Sequence, residues 1–361
     1  MKQTYFFLLL LAGAFLSSCG GEADRANTDV QSTRLKTITG EAQGTTYSIS
    51  YIDNSADYKI QVDSILDGFD QDISLWVPNS VINRINGVNR RDSIFVFVDS
   101  TKYFSVLFDF SRDVWRTTNG AFDPTVYPLV EAWGFGLKHK EEMTQGKVDS
   151  LLQCVGFEDT SIDMIEEFDG YFYKQTQIYK GNPKVRLDFN AIAQGYSVDV
   201  VGDFLREKGI ENFMIEIGGE VLCRGLNAHD ELWRIAIDKP TDGDREFQAI
   251  VQVQDRAIAT SGSYRKYYEV NGVRYSHTID PRLGYPVSHS LLSATVMAKD
   301  CGTADAFATA FMVMGVEETI NFLYEHPELD LDVYLIYDEG GEFQTVFTEN
   351  MESILEELDA N

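Results

Sequence analysis

The 361-residue chain carries 57 acidic against 30 basic side chains, a formal net charge of −27, and the acidic residues are spread along it rather than gathered in a tail. Such a surface repels nucleic acid and anionic lipid head groups and favours solubility, which excludes nucleic-acid partners. The four cysteines show no Cys-x-x-Cys spacing and no nearby histidine pair, which argues against zinc; beyond Cys19 an odd three remain, so no disulfide framework is expected and Cys154, Cys223 and Cys301 read as buried thiols.

The N-terminal residues read as an address. Lys2 precedes an apolar run from Phe6 to Leu16, then Leu16-Ser17-Ser18-Cys19. A cationic start, a short apolar core and small residues before a cut site form a secretory signal, and the run is too short to span a bilayer. A cysteine directly after Leu-Ser-Ser resembles a bacterial lipobox. Residues 1–18 are therefore expected to be a signal peptide, and Cys19 the acylated first residue of the mature chain. Residues 19–34 are small and polar and read as a tether. This leaves 35–361 as one domain, anchored in the cell envelope outside the cytoplasm, on the periplasmic side of the inner membrane.

Leu35 to Tyr51 is strand-like, with strict alternation in Thr45-Thr46-Tyr47-Ser48-Ile49-Ser50-Tyr51. Helices are predicted over Tyr58 to Gln71, from an Asn79 or Ser80 cap through Ile85, and from Ser100 or Thr101 through Trp115, closed by a left-handed Asn119-Gly120. Ala121 to Leu137, rich in Pro, Gly and aromatics, reads as an ordered loop, and Thr144 to Val155 as a helix. Strands are expected at Tyr171 to Tyr179 and Val185 to Asp188, then a helix over Ala191 to Lys208. Strand-like runs follow at Phe213 to Ile217, Trp233 to Ile237, Ala249 to Val253, Tyr264 to Val270 and Leu291 to Ala298, before a helix over Cys301 to Met314. Strands in series, with helices between groups of them, predict an α+β fold with largely antiparallel sheets and flanking helices.

The strongest chemical constellation is Cys301 to Thr309. On a helix Asp305 and Thr309 share a face, so a carboxylate and a hydroxyl oxygen converge, which suits a hard cation such as magnesium bridging to a substrate phosphate. The alternative is that Asp305 caps its helix or pairs with a lysine, and Thr309 bonds to the backbone. Gly218-Gly219 at a strand end would let backbone N–H groups approach an anion, or is simply a turn. Asp188 ends a strand beside a helix of small residues and could accept hydrogen bonds from a ligand; a backbone carbonyl near Ala191 could face the same space. The loop Tyr275 to Pro286 crowds His277, Asp280 and Arg282; His277 near a diphosphate could accept the proton of an attacking hydroxyl.

Taken in order, Gln43-Gly44-Thr45-Thr46-Tyr47, Ile73-Ser74-Leu75-Trp76, Gly120 to Val126, Trp133-Gly134-Phe135-Gly136, Asp188 to Tyr196, Glu216 to Glu220, Ala259-Thr260-Ser261-Gly262, Ser276 to Pro286 and Ala304 to Gly315 resemble the ApbE family of FAD:protein FMN transferases. The resemblance implies magnesium held by Asp305, Thr309 and the main-chain oxygen of Ala191. It implies flavin nucleotide contacts at Gln43, Trp76, Ala121, Phe122, Asp123, Asp188, Gln194 and Ile279. Trp76 offers a stacking face, and the carboxylates can accept from sugar hydroxyls or ring nitrogens. Gln194 stands where many members have lysine, Ser263 where aspartate is frequent and Phe189 where leucine is usual. The activity implied is transfer of FMN from FAD to a Thr or Ser hydroxyl of acceptor subunits in exported or membrane-bound redox complexes, with release of AMP. FAD hydrolysis to FMN and AMP, and a non-catalytic FAD-binding lipoprotein, are the alternatives.

Overall fold

In the computed structural model of the chain, which describes residues 34–53, 56–136, 141–157, 162–169, 174–241, 245–263, 267–270 and 273–358, the Thr45 to Tyr51 alternation belongs to an eight-stranded sheet. Its strands are β1 (Arg34–Ala42), β2 (Thr45–Asp53), β3 (Phe213–Ile217), β4 (Glu220–Arg224), β5 (Ala257–Gly262), β6 (Leu291–Ala298), β7 (Asp332–Glu339) and β8 (Glu342–Phe347). Their order in space is their order in the chain, and every neighbouring pair is antiparallel. The signal peptide, the Cys19 lipobox and all but the last residue of the tether lie outside the described residues.

Segments between strands cover the two faces of this sheet. One face carries the long helices α1 (Lys59–Ile73), α2 (Tyr103–Thr117), α3 (Ala193–Glu207) and α4 (Cys301–Glu325). Tyr47, Ile49 and Tyr51 of β2 point inward with Val62, Leu66, Val198, Val201 and Leu222, as a period of two requires on a one-sided strand. The other face packs Val221, Cys223, Ile258 and Met297 against a small sheet in which Phe247–Val253 lies between Trp233–Asp238 and Leu355–Glu357. A second small sheet joins Ser93–Phe97, Lys174–Lys180 and Ile162–Asp169. Cys154, Cys223 and Cys301 are free and buried, as expected.

Several expectations need correction. Ala121 to Leu137 is not all loop: Tyr127–Ala132 is a short helix with proline in its first turn, where a missing N–H costs nothing. Val185 to Asp188 is not part of a strand; the Asn86 side chain brackets Leu187 instead, donating to its carbonyl and accepting from its N–H, each at 2.8 Å. Ser80 caps the Val81–Asn86 helix through Asn83 N–H, and at the start of α2, which follows Lys102, Thr101 Oγ1 accepts the Tyr103 N–H at 3.4 Å and Asp99 accepts the Ser105 N–H at 2.9 Å. Asn119 and Gly120 are left-handed, as read.

The helix begun at Cys301 runs past Met314. It bends at Gly315, whose φ of 77° breaks the helical path. His289 occupies the gap, its Nε2 lying 2.9 Å from the Met312 carbonyl. Nearly every side of α4 up to the bend is buried, which is why this stretch is so uniformly apolar.

Candidate active site

The candidate residues sit where α3 and α4 start against the sheet. Each helix closes the other's first turn. Asp199 of α3 accepts the Cys301 and Gly302 N–H groups, both at 2.8 Å, while Asp300 accepts from Thr303 at 2.9 Å. In return Asp305 of α4 accepts the Gly195 N–H at 3.0 Å. First-turn donors have no partner inside their own helix, so these contacts satisfy them through tertiary structure. Asp305 thus caps a helix, but α3 rather than its own.

Gly195 makes this approach possible. A Cβ there would overlap the Cys301 carbonyl and lie 2.7 Å from Asp305 Cβ. Ala191, four residues before Gly195, leads directly into α3. Thr309, one turn beyond Asp305, shares a 3.2 Å hydrogen bond with Ser261 at the end of β5 instead of bonding back to its helix.

Asp305 is 5 % exposed, and burial pushes it up to about 7. Glu220, the first residue of β4, is also buried; burial and the Asp305 charge push it well above the usual carboxylate range. Among the described residues no three His, Cys, Asp or Glu side chains gather as a metal cluster. The expected set is of another kind: one carboxylate, one hydroxyl and one main-chain oxygen.

The expected flavin contacts lie on several separate elements. Gln43 sits left-handed in the β1–β2 turn; its Oε1 accepts from Ser197 of α3 at 3.3 Å, and its buried Nε2 has no partner. Gln194, in the first turn of α3, lies against Gly218 so closely that a Cβ at Gly218 would overlap its carboxamide. Gly218, at φ 62° in the β3–β4 turn, is therefore required by both space and backbone.

The turn holding Ala121, Phe122 and Asp123 is tied to the Asp188 segment by a 2.7 Å bond from Asp188 N–H to the Pro124 carbonyl. Asp123 accepts from Trp115 Nε1 at 3.0 Å and from the Thr125 N–H and hydroxyl at 2.7 and 2.6 Å. Burial pushes both Asp123 and Asp188 up to about 6. Ile279 is buried at the start of the His277 loop, whose Arg282 approaches Gly120 and is held by Asp280 and Glu318. The His277 ring lies 6.4 Å from Phe135. Trp76 is 69 % exposed on the loop after α1.

Asp199 lies outside every sequence motif, and Ser261 and Glu220 lie within motifs that assign them no role. A cavity of about 540 Å³ lined by Tyr196, Asp199, Arg224, Lys299 and Asp300 holds none of the expected contacts.

A family model described as ApbE family matches residues 43–334, from the turn glutamine to β7. The chain belongs to the ApbE family. It is 37 % identical over 317 residues to an FAD:protein FMN transferase of Vibrio cholerae, covering 86 % of each chain. It is 32 % identical to that of Escherichia coli K12 across 96 % of each. Among solved structures, the flavin transferase ApbE from Vibrio cholerae superposes with a TM-score of 0.76 at 33 % identity, covering 89 % of this chain and 99 % of that one. The apo flavinyl transferase ApbE of Pseudomonas stutzeri gives 0.77 at 28 %, covering 89 % and 97 %. The α+β architecture is thus the ApbE architecture.

Proposed function

We propose that this chain is an FAD:protein FMN transferase in which Asp305, Thr309 and the Ala191 carbonyl hold magnesium, and Gln43, Trp76, Ala121, Phe122, Asp123, Asp188, Gln194 and Ile279 hold FAD. Family membership carries the coarser activity: the FMN moiety of FAD passes to an acceptor protein and AMP is released. The observation that carries the finer reading is a deeply buried Asp305 carboxylate at the start of α3 that forms no ion pair with any lysine or arginine among the described residues.

That arrangement fits the metal. The Asp305 carboxylate is buried with a backbone N–H as its partner, and the Thr309 and Ser261 hydroxyls on the same helix and on β5 are hard oxygen donors. When bound, magnesium would supply charge neutralisation at the FAD diphosphate and the departing phosphate.

The chain's own residues do the rest. Trp76 presents an open ring face for stacking on a flavin. Gln43 Nε2 is a buried donor without an acceptor, matched to a ligand oxygen or ring nitrogen. Asp188 is held beside the Asp123 turn through the Pro124 carbonyl, and its carboxylate is a candidate acceptor for hydrogen bonds from the ligand. In the reaction, the acceptor's Thr or Ser oxygen bonds to the FMN-side phosphorus as the bond to the AMP oxygen breaks. AMP leaves with that electron pair, and the hydroxyl proton passes to His277.

Acylated Cys19 would tether the enzyme to the membrane beside flavin-carrying subunits of exported or membrane-bound redox complexes. A Cys19→Ser chain recovered in the membrane fraction as fully as wild type would remove the anchor from the account. For the reaction, AMP is followed with FAD and magnesium, with and without a candidate acceptor domain. Transfer predicts AMP that depends on the acceptor; AMP at the same rate without it would mean hydrolysis, and no AMP with FAD bound would mean a carrier.

A further inference from the structure

Glu220 opens β4 directly after the Gly218-Gly219 turn. Strand alternation places it with Leu222, on the face that α3 and α4 cover, because Leu222 packs against Gly202 of α3 while Val221 and Cys223 join the core on the opposite face. The start of α4 is held onto this strand by Cys301 Sγ, 3.7 Å from the Val221 carbonyl. Asp305, one turn along α4 from Cys301, is near enough to this end of β4 for its charge to act on Glu220.

Glu220 is only 9 % exposed, and its Oε2 is buried with no hydrogen-bond partner. Neither Glu220 nor Asp305 forms an ion pair among the described residues, and the Asp305 charge acts unfavourably on Glu220. Two buried carboxylates with no cation between them are an unfavourable arrangement that a bound cation reverses. A strand that only needed a turn residue here would place a small or exposed side chain after the glycines.

We propose that Glu220 is a further carboxylate of the cation site, facing the ion held by Asp305 and Thr309 from the β4 side and holding it through the ion's water shell. This rests on the magnesium reading above. Magnesium keeps several waters when bound to protein, and carboxylates that accept from such waters tune affinity by about 10–100-fold. Removing Glu220's charge would leave the first carboxylate in place and weaken the ion's hold.

The test titrates magnesium chloride calorimetrically into the full chain with saturating FAD, after subtraction of the heat with FAD alone. Wild type, Asp305→Ala, Glu220→Gln and Glu220→Asp are compared, and melting temperatures are taken in EDTA. Wild type is expected to bind and Asp305→Ala to lose binding. Glu220→Gln should bind about ten-fold more weakly while melting in EDTA at or above the wild-type temperature, because a like-charge contact is gone; Glu220→Asp should recover part of the affinity. Unchanged affinity in Glu220→Gln, with Asp305→Ala dead, overturns this inference and leaves the magnesium reading standing. Weakened binding matched by a fall in melting temperature in EDTA also overturns it. Wild type without a magnesium heat, or Asp305→Ala binding normally, overturns both.

Discussion

Asp305 on α4 accepts the backbone N–H of Gly195 on α3 at 3.0 Å, so the expected metal carboxylate is also the fastening between the two helices that frame the site. The contact depends on the lack of a side chain at Gly195, where a Cβ would overlap the Cys301 carbonyl. Gly195→Ala must push α3 and α4 apart. It is expected to cost about 1–3 kcal/mol of stability and to lower flavin transfer more than it lowers FAD affinity. Urea denaturation and a transfer assay check this; wild-type values in both would show that the helices give way freely.

Asp199 makes the reciprocal contact and supplies a pH test. Burial pushes it up to about 7, above its value of about 4 in an unfolded chain. Between those values the folded state keeps a proton that the unfolded chain has lost, so this group's contribution to stability falls as pH rises through the window. Asp199→Asn cannot ionise. Its stability is expected to drop less than that of wild type between about pH 5 and about pH 8, by on the order of 2–3 kcal/mol. Urea midpoints at the two pH values measure the difference, and equal drops would contradict the assignment.

Trp76 stands 69 % exposed, so its ring can be removed without leaving a hole in the core. Trp76→Ala is expected to keep its melting temperature and to weaken FAD binding by about 1 kcal/mol, the worth of one aromatic stacking contact. Flavin fluorescence titration reads this directly. Undiminished affinity would take Trp76 out of the flavin site.

His277→Ala separates proton transfer from binding. Loss of a positioned general base lowers turnover by about 10²–10⁴-fold with FAD affinity little changed, and the loss should shrink at high pH, where hydroxide substitutes. A fall in affinity equal to the fall in turnover would instead make His277 a binding residue.

The legible parts of the fold were those with one wet face or a distinct punctuation mark. Tyr47, Ile49 and Tyr51 alternate with serines because β2 is covered on one side, and Asn119-Gly120 marks the end of α2 because both residues adopt the left-handed backbone. β4 went unread because Glu220, Val221, Leu222 and Cys223 are all buried, between helices on one face and a small sheet on the other. Burial on both faces erases alternation. Val185 to Asp188 carries the apolar residues of a strand, yet a side chain 101 residues away in sequence supplies its partner.

The site was legible as motifs rather than as contacts. Asp305 and Thr309 stood out by helical spacing, but the partners that locate them, Gly195 and Ser261, lie far off in the chain. A glutamate after a glycine turn has no sequence mark that separates it from an exposed one, so Glu220 acquired a meaning only from its burial and its neighbour.

The most direct test of the account weighs an acceptor domain intact after incubation with FAD, magnesium and either wild type or Asp305→Ala. Wild type is expected to add the mass of one FMN moiety, with the adduct abolished by EDTA, while folded Asp305→Ala adds at least about 10²-fold less, the scale of losing a charge-stabilising group. A full adduct from folded Asp305→Ala, or one that forms equally well in EDTA, would contradict it.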